Sequence, residues 1–324
     1  MTLIWLREFM ERTRKTGRLL AIPAFAAFGM SGAAGAGEGG AWPNLPLPTL
    51  GGMQFWADRR YHAGWRIQEH ALFGHARLLD PDNVRRCWGS HAACTGELER
   101  IRSAGRAEPG FSHLVVLVHG LGRSPASFGG LKVALESDGY EVAAISYSST
   151  RRSIARNAAD LAELMENLEG VDRVSFVTHS LGGLVVRRLL ARTGDPWRSR
   201  MAVNALVMTA PPSQGSRMAD ILQYAPPVNL ILWRGLFDAR TKAVADLAAP
   251  DVPFGIVAAG NGRRGWNPLL AGDDDGIVSV AETHLDGAAG WMRVDGVHSF
   301  VMTHPATIDA VKHFLKYQRF PGPA

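Results

Sequence analysis

From His113 onward the chain alternates short, unbroken apolar runs with stretches whose apolar residues recur every three or four positions, and few folds accept that pattern. HLVVLVHG (His113–Gly120) and YEVAAISYS (Tyr140–Ser148) are apolar on both faces of a strand's two-residue repeat, as strands covered on both sides must be. RVSFVTHS (Arg173–Ser180), AVNALVMTA (Ala202–Ala210), VPFGIVAAG (Val252–Gly260) and the shorter WMRVDGV (Trp291–Val297) add strands. Between Ser153 and Gly170, residues Ile154, Ala158, Leu161, Met165 and Leu168 fall on one helical face, and Gly170 supplies a C-terminal stop. LGGLVVRRLLAR (Leu181–Arg192) reads as a helix, and PATIDAVKHFLKY (Pro305–Tyr317) as another with Pro305 in its first turn. Buried strands alternating with helices predict an α/β fold: a mostly parallel central sheet with helices on both faces, in one main domain over residues 111–320.

What precedes that domain is less regular. Residues 1–36 carry five basic against two acidic side chains, then the uncharged Leu19–Met30, then small residues ending in Ala34-Gly35-Ala36. A basic start, a short apolar stretch and an A-x-A site predict a signal peptide cleaved after Ala36, hence export. A retained anchor or interfacial helix is the alternative reading, with membrane association through the N-terminus, and a cytosolic tail a third. Residues 37–110 read as a Gly/Pro-rich linker (Gly37–Gly52) and an N-terminal extension, rich in Trp, His and Arg, packed on the main domain. Cys87 and Cys94 are the only cysteines, and they either close a short loop in an oxidising compartment or are two unrelated buried thiols. His70 and His75 do not share a helix face, so no metal site is expected there.

Charge excludes one class of function. The formal net charge of +5 invites a nucleic-acid reading, but three of those units belong to residues 1–36. Residues 37–324 hold 30 Lys and Arg against 28 Asp and Glu, without a basic run in the main domain, so no nucleic-acid partner is expected.

Chemistry in open parallel sheets gathers at the carboxyl ends of strands. There the third strand runs through Thr178-His179-Ser180-Leu181-Gly182-Gly183 directly into a helix. A serine on a sharp strand-to-helix turn, flanked by small residues two positions away, is the G-x-S-x-G nucleophile elbow, here with Thr178 replacing the first glycine. The helix starting beside it aims N–H groups and a positive dipole end at developing negative charge.

The motifs VVLVHGLG, THSLGG, APPSQGS, DDDGIVSV and GVHSF, in that order over residues 111–320, resemble the α/β-hydrolase family, and within it the bacterial lipases and esterases. The resemblance implies an α/β-hydrolase fold and a serine hydrolase with a Ser-Asp-His order along the chain. Ser180 is then the nucleophile. Asp275, in a D-G-x-V setting, takes the place of the acid, with Asp274 as rival, while Asp273 and Asp274 otherwise read as a solvated turn or cation ligands. His298 matches the family's histidine loop, His304 being the competitor and a natural helix-start residue. His119 and His179 flank the site, the former fixing the loop after the first strand. The oxyanion donors are the N–H of Leu181, next after the nucleophile, and by resemblance that of Leu121 in the Gly120-Leu121-Gly122 turn. That turn lacks the G-K-[ST] of a P-loop and the third glycine of a dinucleotide fingerprint.

No metal or organic cofactor is implied, and the expected partner is a small-molecule or lipid ester. An acyltransferase or thioesterase would use the same triad, and a non-catalytic binding protein could keep the fold alone. Residues 215–250 form an insertion with Leu222, Tyr224, Val228, Leu230, Ile231, Leu232, Trp233, Leu236 and Phe237, read either as a packed helix pair or as a cap lining an acyl-chain pocket. Ser148 to Arg152 read as a pocket edge or a helix N-cap with solvated arginines.

Overall fold

The computed structural model describes residues 46–49, 51–52, 54–105, 112–224 and 235–322. Residues 1–36, read as an export signal, and residues 225–234 of the insertion, with Val228, Leu230, Ile231, Leu232 and Trp233, lie outside them.

The extension is a small antiparallel sheet. Its strands are β1 (Leu47–Pro48), β2 (Trp56–His62), β3 (Trp65–His70), β4 (Ala76–Leu79) and β5 (Val84–Gly89), in the order β1-β5-β4-β3-β2. β2 and β3 are joined through Ala63 (φ 47°) and Gly64 (φ 82°), both at the positive φ that a type I′ hairpin turn requires. Helix α1 (His91–Ser103), capped by Ser90, covers one face, where Ile67, Ala76, Leu78, Leu98 and Ile101 form a separate apolar cluster. Cys87 and Cys94 belong to that cluster as free thiols, neither bridged nor unrelated. Burial, then a hydrogen bond to Cys87, pushes the Cys94 thiol up.

The main sheet has six parallel strands: β6 (His113–Val118), β7 (Glu141–Ile145), β8 (Arg173–His179), β9 (Ala202–Thr209), β10 (Phe254–Gly260) and β11 (Gly290–Asp295). Their order is β11-β10-β9-β8-β6-β7, so the chain reverses direction of travel between β6 and β8. Alternate residues of β6 feed two cores: Leu114, Val116 and Val118 face one, Val115 and Leu117 the other. That is why the run contains no polar alternation. Helices α3 (Ile154–Glu166) and α4 (Leu181–Leu190) cover the first face, α2 (Gly129–Ser137) and α6 (Pro305–Tyr317) the second. The five-residue apolar face expected around Ile154 is buried as a set, the four larger side chains contributing about 1.5–3 kcal/mol each. The helix stops at Glu166, before Gly170. The Asn167 N–H bonds back to Glu163 and Leu164, while Gly170 (φ 72°) serves the following turn. Helix α2 has no counterpart among the expected elements.

Extension and main sheet are joined by polar groups. Asp58 N donates to Ser146 O (2.9 Å), and Ser146 N donates to Asp58 Oδ2 (2.7 Å), just past the end of edge strand β7. Arg59, 1% exposed, pairs with Asp160 (2.5 Å) and Glu163 (2.9 Å) of α3.

Candidate active site

The carboxyl ends of β6 and β8 are neighbours where the strand order reverses, the place where an open parallel sheet leaves a crevice. The turn after β6 carries Gly120-Leu121-Gly122, and the turn after β8 carries Ser180. Ser180 has φ 52° and ψ −123°, a conformation that costs a non-glycine residue about 1–3 kcal/mol. Two backbone hydrogen bonds hold it there, Ser180 N to Thr209 O and Gly183 N to Ser180 O, both 2.9 Å. A Cβ at Gly182 would lie 2.2 Å from the Val118 carbonyl oxygen, so the second small position of the elbow is sterically obligatory. The first is not: Thr178 is fully buried there without a comparable clash at the turn.

Ser180 Oγ lies 2.9 Å from His298 Nε2, and His298 Nδ1 lies 2.7 Å from Asp275 Oδ2. A carboxylate only accepts, so Nδ1 carries the proton, leaving Nε2 free to accept from the serine hydroxyl. Asp275 Oδ1 accepts the backbone N–H groups of Ile277 (3.0 Å) and Val278 (2.8 Å), and His298 N donates to Asp275 O (2.8 Å). All three side chains are buried to within a tenth of full cover.

The alternatives have other partners. Asp274 accepts Trp266 N, Asn267 N and Gly276 N at 2.7–3.0 Å, tying the loop together. Asp273 accepts Asn261 N (2.8 Å) and Gly262 N (3.0 Å) at the end of β10. His304 caps α6, its Nδ1 accepting Ala306 N. His179 Nε2–H donates to the carbonyl of His298 (2.9 Å) and so fixes the backbone of that histidine. Burial first, then the nearby imidazole of His298, holds its own pKa well below the usual value. His119 donates to Gly120 O (2.9 Å) and stacks on Tyr147, and burial lowers its pKa to about 4.

Leu121 and Leu181 both line the cavity over Ser180, and Leu181 opens helix α4. The loop bearing Leu121 is held both from within the main domain and from the extension. Gly122 N donates to Ser149 Oγ (3.0 Å), and Gln54 Nε2 of the extension donates to Arg123 O (2.7 Å). Gln54 Oε1 in turn accepts Ser149 Oγ (2.9 Å), Thr150 N (3.1 Å) and Thr150 Oγ1 (2.9 Å). Ser148, Ser149 and Thr150 are therefore buried partners of Gln54 and do not cap the helix. The cap of α3 is Ser153, and Arg152 pairs with Asp160. Sequence reasoning missed Gln54 and Arg123, since nothing in a lone glutamine 126 positions before Ser180 signals its destination.

The cavity beside Ser180 holds about 250 Å³. Met218, Ala219 and Leu222, on or beside helix α5 (Arg217–Leu222), with Leu236 and Ala239 form an apolar wall from the described part of the 215–250 insertion. A larger crevice, about 640 Å³, lies between extension and main sheet near Arg66, Lys132 and Tyr140, but it contains no member of the Ser-His-Asp line. Among the described residues no group of three His, Cys, Asp or Glu side chains gathers to hold a metal ion.

No curated protein matches the chain in sequence. Among solved structures, the mature lipase BlEst2 of Bacillus licheniformis superposes with a TM-score of 0.50 at 17% identity over 65% of this chain and 93% of its own. Its propeptide form superposes with a TM-score of 0.55 at 18% identity, over 67% of this chain and 53% of the other. The metagenomic carboxyl esterase MGS0156 reaches 0.47 at 20% identity, over 63% and 76%. The fold is that of the α/β-hydrolases, as the motif resemblance implied. A family described as a domain of unknown function, DUF7379, matches residues 85–251, just over half of the 324 residues, and the chain belongs to that family.

Proposed function

We propose that the protein is a serine hydrolase of carboxylic esters, lipase- or esterase-like, working through an acyl-enzyme. The observation that carries this reading is the unbroken hydrogen-bonded line from Ser180 through His298 to Asp275, with the serine on a strained strand-to-helix turn. Ser180 Oγ attacks the ester carbonyl while His298 Nε2 takes its proton, and Asp275 stabilises the imidazolium that results. The N–H groups of Leu121 and Leu181 hold the tetrahedral oxyanion. His298 then gives its proton to the departing alcohol. Water, deprotonated by the same imidazole, releases the acid and restores the serine. The apolar wall of Met218, Leu222 and Leu236 supports an acyl group as the part of the substrate that enters the cavity.

A fluorophosphonate probe is expected to label wild type at Ser180, and Ser180→Ala or His298→Ala to lower ester turnover by at least about a thousandfold. A folded serine variant that still turns over a short-chain chromogenic ester would sink the scheme. Adding an alcohol acceptor to the assay separates hydrolysis from acyl transfer, the free acid being the expected product. We also propose residues 1–36 as an export signal or membrane anchor, and an intact Met1 in a soluble cell fraction would refute that.

A further inference from the structure

We propose that Arg123 forms an anion subsite beside the nucleophile, so that the preferred substrate is an acidic amphiphile: an apolar acyl chain esterified to an alcohol bearing a carboxylate or phosphate. This rests on the ester-hydrolase reading above. Among the described residues lining the cavity, Arg123 is the one Lys, Arg, Asp or Glu side chain, and it shares the wall with Ser180 and His298. Its guanidinium donates to the hydroxyl of Ser299, next in sequence to the base, which places the charge beside His298.

Arginines buried elsewhere direct several donors at acceptors within the protein. Arg59 faces Asp160, Glu163 and Glu69, and Arg187 donates to the carbonyls of Ala248, Ser213 and Leu247. Arg123 makes no ion pair among the described residues, and its one hydrogen bond to a side chain reaches a neutral hydroxyl, although a guanidinium carries five donors. Burial alone lowers its pKa, without any carboxylate acting in the opposite direction. An unanswered cation in a half-buried wall is costly, and an anion arriving with the substrate removes that cost through short, paired hydrogen bonds. The backbone beneath it is already fixed, by Gln54 Nε2 on its carbonyl (2.7 Å) and by its own N–H to Gly120 O (3.1 Å). The guanidinium therefore meets the ligand with little further ordering.

The test compares release of hexanoate from three esters: monohexanoyl glycerol, its 3-phosphate counterpart, and hexanoyl glycolate. Wild type is expected to favour both anionic esters over the neutral one by about tenfold or more in kcat/KM, chiefly through KM, as expected for a charge-assisted hydrogen-bonded pair. That preference should shrink as salt is raised. Arg123→Gln should collapse the anionic-to-neutral ratio towards unity, and Arg123→Lys should restore part of it. A preference confined to the phosphate or to the carboxylate identifies which anion the site takes and supports the proposal. A wild-type ratio near or below one overturns it while leaving the hydrolase reading intact, and this readout holds even where a variant fails to fold. A ratio unchanged in folded Arg123→Gln also overturns it. Wild-type protein that hydrolyses none of the three and takes no fluorophosphonate label overturns the hydrolase reading, and the subsite with it.

Discussion

Asp273, Asp274 and Asp275 are chemically identical neighbours, yet each carboxylate answers a different set of donors, and from that follows a division of labour that substitution can test. Asp275→Asn keeps the shape but loses the charge proposed to stabilise the imidazolium and the acceptor that fixes the His298 tautomer. Ester turnover should fall by roughly 10³–10⁴ with little change in melting temperature. Asp274→Ala should do the reverse, because it strands the N–H groups of Trp266, Asn267 and Gly276. Leaving these part-buried donors unsatisfied costs on the order of 1 kcal/mol, or a few degrees in Tm for a chain of this size, read in a thermal scan. A larger loss of kcat in the Asp274 variant than in the Asp275 variant would reverse the assignment. In the sequence the D-G-x-V setting favoured Asp275 by resemblance and kept Asp274 as its rival, because a D-D-D run has no internal direction; the positions of His298 and of the 265–267 loop separate its members.

At the level of elements, the strands of the main sheet and the helices α3, α4 and α6 were legible because burial on two faces leaves an unbroken apolar run, and burial on one leaves a helical stripe. The extension was not, for reasons visible in its own residues. Its β2–β3 turn places Ala63 where a hairpin signal would show Asn or Asp, and two register shifts interrupt the strand period. Its inner positions include Asp58, Arg59, Arg66, Gln68 and Arg77, buried because they satisfy one another or groups of the main domain. Polar residues hidden in this way erase the apolar alternation on which strand recognition depends. The same extension reaches the site through Gln54. Gln54→Ala should loosen the loop bearing Leu121 and lower kcat about tenfold, with KM changed much less, since the oxyanion donor proposed there acts on the transition state. Stopped-assay kinetics over a range of ester concentrations would separate the two constants, and a change in KM alone would argue against this link. Gly182→Ala, by contrast, should prevent folding of the turn, because the clash is with backbone rather than with a movable side chain.

For the molecule as a whole, buried imidazoles tie stability to pH. The pKa of His119 falls from the ordinary 6.5 to about 4 in the folded chain, and that of His179 moves in the same direction. The unfolded chain therefore binds more protons across this interval, so stability is present above about 6.5 and is lost as pH drops towards 4. The contribution of His119 alone is roughly 3 kcal/mol. Tm should decline over that range, less steeply in His119→Gln, and a profile flat from pH 7 to 4 would contradict the burial of these groups. Arg59 sets a second whole-molecule term: Arg59→Ala leaves Asp160 partly unanswered between extension and main domain and should cost up to about 3 kcal/mol, read in urea unfolding.

By itself the sequence determined the alternation of buried strands and amphipathic helices, the elbow around Ser180, and the small set of acids and bases that could serve it. These are local matters: side-chain period, turn sterics and residue type act within a few positions of the chain. The tertiary structure alone decided that Asp275 faces His298 while Asp274 serves a loop, that Cys87 and Cys94 meet as thiols, and that Gln54 braces the loop carrying Arg123. Those outcomes depend on groups dozens to more than a hundred positions apart, where burial leaves each donor or charge only the partner that folding places within reach.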